Sequence, residues 1–83
     1  MNKQEILAKV GQTIASVLDQ PNLRVTMRTT MDDVEGWDSF NHINIAVALE
    51  SEFGLKFNAS EVAGLRAVGD FVDLIEKKLA KRK

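Results

Sequence analysis

Apolar residues first recur at helical spacing near the start of the chain. Ile6, Val10, Ile14 and Val17 stand four, four and three positions apart, and Leu7 and Leu18 widen the stripe. Asn2 and Glu5 have the spacing of a capping box, in which each side chain bonds the other's backbone N–H, so a helix is expected to begin just after Asn2. Gly11 weakens it by about 1 kcal/mol relative to alanine. The run Asp19-Gln20-Pro21-Asn22 stops it, because proline lacks the amide hydrogen and turns the residue before it away from helix. Between Asp19 and Asp38 the helical period is lost. Leu23, Val25 and Met27 alternate as a short strand does, but Arg24, Thr26 and Arg28 find no second run to pair with. Connections longer than roughly 12–15 residues are uncommon in compact domains and usually functional. With Leu23, Val25, Met27, Met31 and Val34 along it, this one reads as a loop pinned to a core.

The period returns from about Ser39 to Phe53, with Gly54 placed as a left-handed cap. A short helix fits Ala59 to Ala63, where Asn58 and Glu61 repeat the capping-box spacing and Gly64 follows. The last helix runs from about Val68 to Ala80, with Val68, Phe71, Val72, Ile75 and Leu79 on one face. Asp70 near its start and Lys77, Lys78 and Lys81 near its end suit the helix dipole. The expected fold class is therefore all-α, a four-helix bundle with a long loop between helices 1 and 2 and a short third helix.

Composition narrows the chemistry. A chain of 83 residues is expected to form one domain over 1–83, burying only roughly 60% of its unfolded surface, which leaves little with which to enclose a dry catalytic cleft. With 45% hydrophobic and 28% charged residues the balance is that of a globular protein. Having no cysteine, it lacks disulfides, thiolate catalysis and cysteine-based zinc sites, and with the single histidine His42 the usual metal constellations cannot be assembled. A net charge of −1 argues against a nucleic-acid partner. No stretch approaches the roughly 18 apolar residues of a membrane span, and Lys3, Gln4 and Glu5 interrupt any signal-like start. The expectation is a cytoplasmic protein without a membrane or metal partner, and not an enzyme.

The second helix is apolar on two sides. At about 100° per residue, Ile45, Ala46, Leu49 and Phe53 form one stripe, and Phe40, Ile43 and Val47 form another beside it. Either the helix is central and wholly buried, or the second stripe meets something outside this chain; three other helices are hardly enough to wrap it. Directly before it stands Glu35-Gly36-Trp37-Asp38-Ser39-Phe40, with Asp38 a good N-cap and Ser39 at the first helical position. Unpaired N–H groups and the positive end of the dipole suit a phosphate ester on that serine. Taken alone, Asp-Ser before a helix is more often just a cap. As a hydrolytic nucleophile the serine lacks an evident acid to orient His42 and a cleft for substrate.

The run Gly36-Trp37-Asp38-Ser39-Phe40, followed by Ile43, Ile45, Ala46, Leu49, Glu50, Glu52, Phe53 and Gly54, resembles the acyl carrier proteins. Their signature is Gly-x-Asp-Ser-hydrophobic opening a helix that ends in an acidic-Phe-Gly-like sequence, and the likeness extends over nearly the whole chain. The resemblance implies a four-helix bundle with no catalysis of its own. It implies that a phosphopantetheinyl transferase, using magnesium, moves the 4′-phosphopantetheine arm of coenzyme A onto Ser39. The thiol of that arm then carries acyl or aminoacyl groups as thioesters, which accounts for the missing cysteine. On the same ground Asp38 is read by the transferase, and Phe40, Ile43, Val47 and Glu50 form a docking face for acyl-activating ligases or synthases. The inner stripe and the loop anchors would line a space for a short cargo, and the carrier is expected to act as a monomer.

The chain departs from the family in ways that bear on pathway. Fatty-acid-synthesis members carry strong negative charge along the second helix; here Asn41, His42 and Asn44 stand where acids are common, leaving Glu50, Glu52 and Glu61 as candidate acidic contacts. A specialised carrier, for polyketide, nonribosomal peptide or modified-saccharide assembly, is expected instead. Ala67, where the family commonly has threonine, removes a cap worth about 1 kcal/mol. The competing reading is an unmodified helical adaptor that binds a partner through Phe40, Ile43 and Val47. Trp37 reads as a loop anchor before a contact for the arm or transferase, and His42 as a partly buried polar residue before a pH switch. Asp32, Asp33 and Glu35 read as loop solvation, and Lys77, Lys78, Lys81, Arg82 and Lys83 as a solvated helix end.

Overall fold

The first three helices each start where a side chain can satisfy a first free N–H group. The computed structural model describes residues 1–81; Arg82 and Lys83, the end of the basic cluster, lie outside them. Helix α1 (Lys3–Val17) opens on the capping box, with Glu5 N donating to Asn2 Oδ1 at 2.8 Å and Asn2 N donating to Glu5 Oε1 at 3.0 Å. Helix α2 (Ser39–Phe53) is capped by Asp38 and closed by Gly54 in the left-handed conformation, φ 66°. Helix α3 (Ala59–Ala63) repeats the capping box through Asn58 and Glu61, and α4 (Val68–Lys81) runs one residue past Ala80.

α1 packs against both α4 and α2. The core joins Ile6, Val10 and Ile14 to Ile45 and Leu49 and to Phe71, Val72 and Ile75, all fully buried. α3 contributes no buried residue. On the surface Lys3 ties α1 to α4, 3.2 Å from Asp73 and 3.8 Å from Glu76, and the carboxylates raise its ammonium pKa above the ordinary value. Such exposed pairs add little stability.

The first loop is pinned, as its apolar residues require: Val34 is buried, and Leu23, Val25, Met27 and Met31 pack half-buried against the core. The alternation of Leu23, Val25 and Met27 does not make a strand. Residues Met31–Asp33 form a short 3₁₀ turn, and the one ladder contact of the loop is an isolated antiparallel bridge between Thr30 and Ala67. What the loop pairs with is a helix end. Thr29 O accepts from Val68 N and Met27 O from Gly69 N, both at 2.8 Å, while Asp70 Oδ2 accepts from Arg66 N and Ala67 N at 2.9 and 3.0 Å.

This corrects the expectation for Ala67. The missing side-chain cap costs α4 little, because loop carbonyls satisfy its first two N–H groups and Asp70 satisfies the two before them. Two glycines make the approach possible. A Cβ on Gly69 would stand 2.8 Å from Met27 O, and one on Gly11, the residue that weakened α1 on paper, would stand 2.9 Å from a methyl of Val25. Gly69→Ala is therefore expected to lower the urea unfolding midpoint, by about 1–3 kcal/mol of stability, since the obstruction is backbone and cannot swing aside. A midpoint equal to wild type would mean that the loop is not seated there.

Candidate functional site

The tip of α2 is built by four hydrogen bonds. Asp38, in extended conformation, accepts from Asn41 N on its carboxylate and from His42 N on its carbonyl, both at 2.8 Å. The turn before it is held from both sides: Gln20 Nε2 donates to Glu35 O at 2.6 Å and Asn41 Nδ2 to Gly36 O at 2.8 Å, with Gly36 at φ 85°. Asn41 stands where the family often has an acid, and its amide does here what a carboxylate could not, donating to a carbonyl.

Ser39 is exposed on this mount. Its hydroxyl has no protein partner, and the N–H groups of Ser39 and Phe40 have no acceptor among the described residues. A phosphate ester on the Ser39 oxygen would meet two free donors and the positive end of a helix fifteen residues long. The residues present thus fit a phosphate-linked arm.

Behind Ser39 the anchoring reading of Trp37 holds: the indole is 4% exposed and lies over Phe71, ring centres 6.2 Å apart. Its Nε1–H donates to His42 Nδ1 at 3.2 Å, and His42 Nε2 lies 3.1 Å from Val62 O. His42 is 7% exposed, more enclosed than its expected partly buried place. Neither partner of this histidine was marked by spacing. Val62 offers only its carbonyl, which no residue type announces.

Phe40, Ile43 and Val47 are 73%, 57% and 57% exposed, so the second stripe faces outward and α2 is not wrapped. Beside it runs a groove of about 560 Å³ between α2 and α3, lined by Ser39, Ile43, Ala46 and Val47 on one side and Phe57, Val62 and Ala63 on the other. Among the described residues this groove, and not the inner stripe, offers the space expected for a cargo. Ile45 and Leu49 are fully buried in one core with residues of α1 and α4; of the inner stripe only Ala46, and of the loop anchors only Met31, line the groove.

The three candidate acids all have partners within the chain. Glu50 Oε2 accepts from Phe57 N at 2.7 Å, Glu52 pairs with Lys9 at 3.0 Å, and Glu61 pairs with Lys78 at 3.1 Å. The Asn58 N–H bond, and next the Lys78 ammonium, hold the Glu61 carboxyl below its ordinary value of 4.5. A carboxyl depressed in the folded state adds stability that is present above its unfolded value and is lost as pH falls through the folded one. In urea titrations, Glu61→Gln should thus be less stable than wild type at neutral pH, and the gap should close as the acid range is crossed. A gap that is independent of pH would overturn this. Among the described residues no three His, Asp or Glu side chains gather to hold a metal ion, and no helix is long and apolar enough to cross a membrane.

Fold and site together define a small helical bundle that presents one hydroxyl at a helix tip. The family described as "Phosphopantetheine attachment site" matches residues 8–75. An acyl carrier protein of Thermotoga maritima is 35% identical over 78 residues, covering 94% of this chain and 96% of the relative. A meromycolate extension acyl carrier protein of Mycolicibacterium aurum is 36% identical over 76 residues, covering 92% and 78%. The solution structure of a holo acyl carrier protein from Geobacter metallireducens superposes with a TM-score of 0.84 at 36% identity, over 92% of this chain and 87% of that one. The chain belongs to the acyl carrier proteins. It is a carrier rather than an enzyme, bears a covalent 4′-phosphopantetheine, and works with biosynthetic enzymes and a phosphopantetheinyl transferase.

Proposed function

We propose that Ser39 is the residue that bears the arm, and that the chain, acting as one cytoplasmic, monomeric carrier domain, presents acyl or aminoacyl thioesters to partner enzymes of a specialised pathway. The observation that carries the attachment point is the exposed Ser39 hydroxyl, without a partner among the described residues, beside N–H groups of Ser39 and Phe40 that likewise have none there. When bound, the arm supplies the thiol that this cysteine-free chain lacks. Asp38 holds the first turn of α2 and stands beside Ser39, where a transferase meets it. Phe40, Ile43 and Val47, uncharged and outward, offer the partner an apolar face, with Glu50 at its far end holding the α2–α3 connection.

The specialised pathway is supported by the charge pattern. No Asp, Glu, Lys or Arg occurs from Ser39 to Leu49, so α2 offers little to a basic docking site built for an acidic helix. The resemblance to a carrier named for meromycolate extension favours a lipid-derived cargo within that reading. Intact mass after co-expression with a promiscuous phosphopantetheinyl transferase tests the proposal: one added arm per chain is expected. A folded wild type of unchanged mass would overturn it.

A further inference from the structure

Loop, α2 and α3 meet at one buried imidazole. The Trp37 indole N–H can only donate and the Val62 carbonyl can only accept, so a single form of His42 satisfies both: the neutral ring with its proton on Nε2. We infer that His42 is a positioning residue for the loading of Ser39. While neutral it holds Trp37, two residues before that serine, in place; on taking a second proton it lets Trp37 go. This rests on Ser39 being the attachment point.

The geometry makes the release one-sided. A proton on Nδ1 sets two donors against each other across 3.2 Å, and the indole loses its acceptor in a closed space where an unpaired N–H is costly. The bond from Nε2–H to Val62 O survives, so α3 stays docked while the loop side opens. The ring is packed by Trp37 from the loop, Val62 from α3 and Phe71 from α4, ring centres 5.5 Å apart for the last; none of these titrates. The charged residues adjoining them are already engaged. Asp38 holds Asn41 N, Glu61 holds Asn58 N and Lys78, and Asp70 holds Arg66 N and Ala67 N. Glu50, bonded to Phe57 N, and Arg66 line the groove that His42 also borders.

Trp37 is the only tryptophan, so its emission reports the contact directly. The experiment follows emission and far-UV circular dichroism of the unmodified protein from pH 8 to 5. It also measures KM and kcat of the protein as substrate of a phosphopantetheinyl transferase with coenzyme A, beside His42→Gln. A glutamine amide can accept from the indole and donate to Val62 O but cannot titrate. Wild-type emission should change along a one-proton curve at constant helix content, whereas His42→Gln should keep the alkaline emission throughout. At the acid end the wild-type KM should exceed that of the variant about fivefold, the worth of one hydrogen bond, with kcat equal. Comparing the two proteins at each pH cancels the transferase's own response. Trp37→Phe, which removes the donor and keeps a ring, should likewise give a KM without the acid rise, and it serves if the glutamine variant does not fold. Flat wild-type emission, a titration that persists in His42→Gln, helix loss in step with the emission, or a KM ratio of one would each overturn the role of His42. Titrating emission with no modification at any pH would overturn Ser39 as the attachment point, and the loading role with it.

Discussion

Ser39→Ala leaves a folded protein that gains no mass when co-expressed with a phosphopantetheinyl transferase that fully converts wild type. The two halves of that expectation have separate causes. Modification is lost completely because the hydroxyl is the only nucleophile at the tip of α2, and alanine offers no oxygen. The fold is kept because nothing in it leans on that hydroxyl: it makes no hydrogen bond to protein, the helix is capped by Asp38, and alanine is the best helix former. Circular dichroism and a urea midpoint within about 0.5 kcal/mol of wild type would confirm the second half. An arm retained by Ser39→Ala would move the attachment point elsewhere in the chain.

Val47→Asp is expected to do the opposite, accepting the arm while failing its clients. Val47 is more than half exposed on the outward stripe, so a carboxylate there stays in water and the bundle tolerates it. Pressed into an apolar enzyme surface the same carboxylate has no counter-charge. At a hot-spot position, where truncation costs 2 kcal/mol or more, the loss corresponds to about thirtyfold or more in kcat/KM with a partner synthase or ligase. The measurement is that ratio for holo wild type and holo variant. A ratio near one would place docking on another surface. In cells either substitution is expected to abolish function, Ser39→Ala for want of the arm and Val47→Asp for want of docking.

The helix borders were legible in the sequence because caps are local. Asn2 with Glu5, Asp38, Gly54, and Asn58 with Glu61 each act within one turn, so spacing alone reveals them. The outward stripe of α2 was legible in part, since its period separates two faces but does not say which one a neighbour covers. What stayed hidden is non-local. The side of α2 on which the groove lies is opposite the core that Ile45 and Leu49 share with residues of α1 and α4. Ala67 looked uncapped because its substitutes are carbonyls of Thr29 and Met27, which any residue type supplies. His42 carried no pattern that pairs it with Trp37 and Val62, because one partner is an indole five residues away and the other is a carbonyl on α3.

The seating of the first loop on the start of α4 is a contact of long sequence separation. Carbonyls of Thr29 and Met27 finish the opening turn of α4, so that turn is complete only when two segments about forty residues apart have met. Contacts of this kind slow folding, because loop-closure entropy is spent before they form. A chain cut short before Val68 would keep Ser39 but lose the helix on which the first loop sits, and with it Phe71, Val72 and Ile75 of the core.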